Sequence, residues 1–113
     1  VKGVAGVEVV RMSEVQTFTT PMGYTARKLL DQPSFLIMNL LLKPGETVEK
    51  HVMPDDAFFY VVKGSGKIMI GEEETSVGET DMVFSPKNTP RGLRALPGKE
   101  FHVLIVRSPI SAE

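Results

Sequence analysis

The chain carries two histidines, His51 and His102, and no cysteine. Any metal chemistry therefore rests on imidazole and carboxylate, while disulfides, thiolate nucleophiles and iron–sulfur clusters are excluded together. His51 opens the segment His51-Val52-Met53-Pro54-Asp55-Asp56. An imidazole titrates near neutral pH, which suits it to general acid–base work or to metal ligation. Asp55 and Asp56 follow a proline, where carboxylates ordinarily form solvated turns. The alternative is that Asp56 swings inward to pair with His51 or Arg91. Arg91 has the stronger functional reading. With residues 91, 93 and 95 on one strand face, Arg91 shares an otherwise apolar face with Leu93 and Ala95. A cation in such a setting needs a partner. It either pairs internally with Asp55 or Asp56, or it receives a ligand's carboxylate or phosphate bidentately.

These residues sit on short runs rich in Val, Ile, Leu, Phe and Thr, separated by a dense punctuation of Gly and Pro. The pattern predicts strands over 6–12, 23–31, 35–42, 47–51, 57–63, 66–71, 74–77, 81–84, 91–96 and 100–107. No window keeps a helical apolar period long enough for a stable helix. Short strands at this spacing read as an all-β sandwich or barrel. Lys43-Pro44-Gly45-Glu46 has Pro and Gly at the centre of a type II turn, and Lys63-Gly64-Ser65-Gly66 reads as a hairpin. Asn88, between Pro86 and Pro90, stands where a left-handed residue is tolerated. Arg94 and the Glu72-Glu73-Glu74 run are expected in solvent. Along 57–63 both alternating phases are apolar, so this strand should be covered on both sides, one of them by the second sheet or a partner subunit.

Composition narrows the function. The chain has 113 residues, 13 basic against 14 acidic, and 42% hydrophobic residues. That is one globular domain with a packed core rather than a disordered tail. Near-neutral charge argues against nucleic-acid binding by bulk electrostatics. The apolar stretch 35–42 is too short to cross a bilayer, and no export signal is legible, so a soluble cytoplasmic domain is expected. No glycine-rich phosphate loop and no nucleophile elbow is found.

The stretch 45–64, GETVEKHVMPDDAFFYVVKG, resembles the first signature of the cupin superfamily, in which Gly is followed by His-x-His, Glu and Gly at fixed spacing. Here Gly45, His51, Met53, Ala57 and Gly64 fall on those places. The second signature, anchored on Pro86, puts Asn88, Arg91 and Ala95 in the Gly, His and Asn places; Gly78 lies two residues early. The likeness covers 44–108. It implies a single jelly-roll (double-stranded β-helix) barrel over 1–113, with an N-terminal arm and first strands in 1–22 and motifs in 44–64 and 78–95.

The resemblance also implies a metal held by two His, a Glu and a third His. His51 is the one competent ligand among His51, Met53, Ala57 and Arg91; thioether is soft, alanine offers nothing, and a guanidinium repels a divalent ion. No cofactor is expected. A divalent metal remains possible through a rearranged set of His51, His102 and Asp55 or Asp56, adequate for Zn²⁺, Mn²⁺ or Fe²⁺. The resemblance brings His102, in phase with Leu104 and Val106, toward the cavity. The expected function is metal-free binding of a small anionic or carbohydrate-like molecule by His51, Met53, Phe59, Arg91 and His102. The alternative is an enzyme: an isomerase or epimerase using His51 and His102 as acid and base, or a dioxygenase on the rearranged site. Small proteins of this type are commonly homodimers, which agrees with the doubly apolar strand.

Overall fold

The computed structural model describes residues 6–108. Alternation and turn chemistry give ten strands: β1 (Phe18–Thr19), β2 (Thr25–Gln32), β3 (Phe35–Leu42), β4 (Thr47–Val52), β5 (Asp56–Gly64), β6 (Gly66–Ile70), β7 (Glu73–Val77), β8 (Met82–Ser85), β9 (Pro90–Ala95) and β10 (Phe101–Ser108). A six-stranded sheet runs β1-β2-β3-β10-β5-β8 and a four-stranded sheet runs β4-β9-β6-β7, with every pairing antiparallel. From β3 onward the chain crosses repeatedly between the sheets, which is a jelly roll. Among the described residues there is no α-helix, and no helix is long and apolar enough to cross a membrane.

Nine of the expected strands form, each within two residues of its predicted bounds. The first, over 6–12, does not: residues 6–11 pair with nothing regular, and Met12–Glu14 makes a single 3-10 turn. Val7 is 94% exposed. Its alternating valines have the composition of a strand but no neighbour among the described residues to complete the ladder. The two-residue β1 was not legible because nothing that short has a period. The Pro-Gly turn forms as expected, with Gly45 at φ +78° and the Glu46 N–H donating to the Lys43 carbonyl at 3.0 Å. Asn88 takes φ +62°.

The core lies between the sheets. Leu40, Leu42, Phe59, Val61, Phe101 and Val103 come from the larger sheet, and Val48, Ile68, Leu93 and Ala95 from the smaller one. Burying a side chain such as Phe59 contributes about 1.5–3 kcal/mol. On β5 the phase 57, 59, 61 is buried, while Phe58, Tyr60 and Val62 are half-buried on the outer face. Met82 and Phe84, each 61% exposed, continue the apolar run on β8.

One irregularity positions the site. Between β4 and β9 the register holds at Val48↔Leu93, then shifts to His51↔Arg91. Three steps along β4 thus match two along β9, a bulge that breaks the period of two. Without it His51 and Val48 would face opposite ways; with it both line the interior. Gly92 lies against the bulge, and a Cβ there would sit 2.7 Å from the Val48 carbonyl oxygen and 3.1 Å from the Lys50 amide nitrogen. Only a residue without a side chain lets the strands approach this closely. Gly92→Ala is therefore expected to lower stability by about 1–3 kcal/mol through overpacking. Gly78→Ala, where an added Cβ meets nothing, should stay within about 0.5 kcal/mol of the parent. Urea unfolding of both variants checks this, and equal effects would contradict the role given to Gly92.

Candidate functional site

A cavity of about 430 Å³, its open mouth included, lies between the sheets. Its wall is largely apolar: Met38, Leu40, Val48, Phe59, Leu93 and Ile105. Met53 adds a flexible thioether, and the polar groups are Tyr24, His51, Arg91 and Arg107. Of the expected ligand-binding residues, His51, Met53, Phe59 and Arg91 meet here. Ala95 and Val61 are buried in the core but do not line the cavity.

Arg91 is 1% exposed and faces inward from β9. Its partner is Asp55, 2% exposed, in the link from β4 to β5. Arg91 Nη1 donates to Asp55 Oδ1 at 3.2 Å, and Nη2 donates to the Asp55 backbone carbonyl. A second guanidinium shares the carboxylate: Arg107 Nε and Nη2 each lie 2.7 Å from Oδ2. Arg107 is a quarter exposed at its side chain, against 3% for that of Asp55. Two cations on one anion leave the cluster with a net charge of +1. Arg91 Nε, moreover, is buried with no hydrogen-bond partner.

Asp55 is thus not the solvated turn residue its place after Pro54 suggests. Asp56, for which an inward position was the alternative, is exposed as a turn carboxylate and accepts from the Lys87 amide at 2.9 Å. β5 begins at Asp56, which faces out, so the next residue back takes the inward direction.

His102 is placed on the wrong face for the cavity. On β10 the buried phase is Phe101, Val103, Ile105, and His102 stands on the outer side between Leu41 of β3 and Lys63 of β5. Both phases of β10 are apolar, so hydrophobicity could not choose between them. Desolvation holds the imidazole below its ordinary value, partly opposed by Glu100, whose Oε2 lies 3.8 Å from Nε2. Glu100 is itself lowered by its bond to Lys63. The expected set of His51, His102, Asp55 and Asp56 therefore does not converge, and neither does a His51–His102 acid–base pair. Among the described residues no group of three His, Asp or Glu side chains is placed to hold a metal ion. The carboxylate nearest the cavity is already committed to two arginines, and the site's charge is of the wrong sign for a cation.

Two cavity residues escaped the sequence reading. Arg107 is in phase with Ile105, and choosing the correct face of β10 would have found it. Its backbone pairs with Ala57, whose small side chain leaves room for the guanidinium. Tyr24 stands at the entrance to β2, and burial raises its phenol above the ordinary value despite Arg107 nearby. It stays a neutral donor. His51 Nδ1 lies 3.1 Å from the Glu49 carbonyl. A carbonyl only accepts, so Nδ1 carries the proton in the neutral ring and Nε2 is left as a proton acceptor.

The ion cluster sets a stability test. Asp55→Ala leaves two guanidiniums uncompensated and should cost about 3–5 kcal/mol. Asp56→Ala, which loses one exposed contact, should cost under about 1 kcal/mol. Chemical denaturation of the two variants distinguishes them, and a mild Asp55 effect would overturn the cluster's importance.

Comparison with known proteins agrees with this architecture. The family model described as Cupin domain matches residues 38–107. The oxalate decarboxylase OxdC of Bacillus subtilis is 31% identical over 83 residues, 68% of this chain, which spans only 22% of that enzyme's length. Among solved structures, the polyketide cyclase RemF from Streptomyces resistomycificus superposes with a TM-score of 0.81 at 22% identity, covering 91% of this chain and 80% of that one. An RmlC-like cupin from Shewanella frigidimarina gives 0.82 at 13% identity, covering 93% of each chain. With a family match over more than half of its length and the same jelly-roll build, this chain belongs to the cupin family.

Proposed function

We propose that this cupin binds a small anion in its barrel cavity without a metal, and that Arg107 is the direct anchor. The observation that carries this reading is the carboxylate of Asp55 shared by two guanidiniums, with Arg91 Nε buried and unpartnered. Arg91, the anchor expected from sequence, is largely committed to Asp55 and fixes it in place. Arg107 is the more exposed of the two and still has donors to offer an incoming oxyanion. Tyr24 adds a neutral hydroxyl at the same cavity. Metal-free binding is supported by the donor chemistry: one imidazole, a thioether, an alanine and an arginine occupy the four places of the family's metal ligands. Titration calorimetry with small carboxylates is expected to give saturable binding that Arg107→Ala weakens at least tenfold, with Arg107→Lys intermediate because the charge remains but the fork is lost. Addition of Zn²⁺ or Mn²⁺ should leave the affinity unchanged. Binding that required metal, or that ignored Arg107, would refute the proposal.

A second reading is catalytic. His51 and Tyr24 line the same cavity as Arg107, pairing a proton acceptor at Nε2 with a phenol donor. For a bound acid carrying a carbonyl, this set suits removal of the proton beside that carbonyl. Incubation in deuterated water with 2-oxo acids, followed by proton NMR, should show exchange at the carbon beside the carbonyl. His51→Gln should abolish it while binding persists. Absence of exchange for every acid that binds would leave a binding protein.

A further inference from the structure

Within the anion-binding reading, on which this rests, we infer that the ligand is a monocarboxylate with a short apolar tail. Three features of the cavity converge on this class. The first is charge. Asp55, Arg91 and Arg107 sum to +1, so one further negative charge neutralises the wall, and a second would be buried without a counter-ion. The second is the lining. Beyond the arginines, Tyr24 and His51, the wall is Met38, Leu40, Val48, Phe59, Leu93 and Ile105, which offer no side-chain partner to a second carboxylate or to a ring of hydroxyls. A sugar would leave hydroxyls desolvated and unpaired there. An alkyl or aryl tail loses nothing by the same transfer and gains from it. The third is size and compliance. The free space inside the wall is only about 60 Å³, well under the roughly 300 Å³ at which ordinary small-molecule sites begin, so it admits a short tail and nothing larger. Met38 and Met53 both border it, and an unbranched thioether adjusts to tails of different shape.

The carboxylate end belongs at the Arg107 side, and the tail among Leu40, Phe59, Leu93 and Ile105. That orientation also explains why one corner of an otherwise apolar barrel carries two arginines. The carbohydrate-like ligand expected from sequence is disfavoured on this ground.

The experiment is a calorimetric or NMR titration of the unmodified chain with acetate, propanoate, butanoate and pentanoate, alongside succinate, inorganic phosphate and glucose. Affinity is expected to rise about fourfold per added methylene until the cavity is filled, as burial of each CH₂ predicts. Succinate and phosphate should bind more weakly than butanoate, and glucose not at all. A flat series, or succinate or phosphate binding tighter than butanoate, overturns the apolar-tail assignment while leaving anion binding intact. Failure of every anion to bind overturns both. Because the series uses the unmodified chain, its outcome does not depend on whether an arginine variant folds.

Discussion

The carboxylate of Asp55 is the point on which this molecule turns. Arg91 belongs to the four-stranded sheet, Arg107 to the six-stranded sheet, and Asp55 to the link that carries the chain from one to the other. One nearly buried anion thus ties the two layers at the cavity wall. Charges taken out of water are costly, and such a cluster survives only when geometry and hydrogen bonds compensate the lost hydration. Both Asp55 oxygens and its backbone carbonyl are engaged. What the cluster does not compensate is its own excess of positive charge, and that imbalance is the basis of the proposed preference for an anion.

Seen this way, the departures from the cupin signatures are related to one another. Ala57, in the place of the acidic ligand, has Arg107 as its cross-strand partner, and a longer side chain there would compete for the volume the guanidinium occupies. The acid is found two residues earlier, at Asp55, where it faces cations rather than joining ligands around one. Arg91 stands where the pattern has a histidine, directly across from His51. The framework that the resemblance associates with holding a cation carries the opposite polarity, and the substitutions are mutually consistent in sign.

Most of the fold was legible because period-two alternation and Pro-Gly turns are local signals. The Pro44-Gly45 turn needed only neighbouring residues to be read. The failures at the site are questions of which way a residue faces when local chemistry is indifferent. Asp55 and Asp56 are chemically identical, and only the starting point of β5 decides which is buried. β10 is apolar on both faces, so a single choice of phase put His102 on the wrong side and left Arg107 out of the site. His51 was placed correctly, although its orientation depends on a bulge that no alternation rule contains. The strand expected over 6–12 failed for a different reason: a ladder needs a neighbour, and composition cannot supply one.

The two arginines differ in how far Asp55 occupies them. Arg91 is almost wholly buried, with two of its three nitrogens engaged by Asp55. Its orientation is set before any ligand arrives. Arg107, partly exposed, can share its guanidinium between Asp55 and an incoming oxyanion without breaking the cluster, since a guanidinium has five donors and Asp55 uses only part of them. Under the proposed anion-binding reading, a preorganised inner cation and an adaptable outer one would reduce the ordering required when the anion binds, which is where much of the affinity of a small ligand is otherwise lost. Under that reading the fold's stability and the cavity's selectivity draw on one interaction, and a substitution at Asp55 should disturb both together.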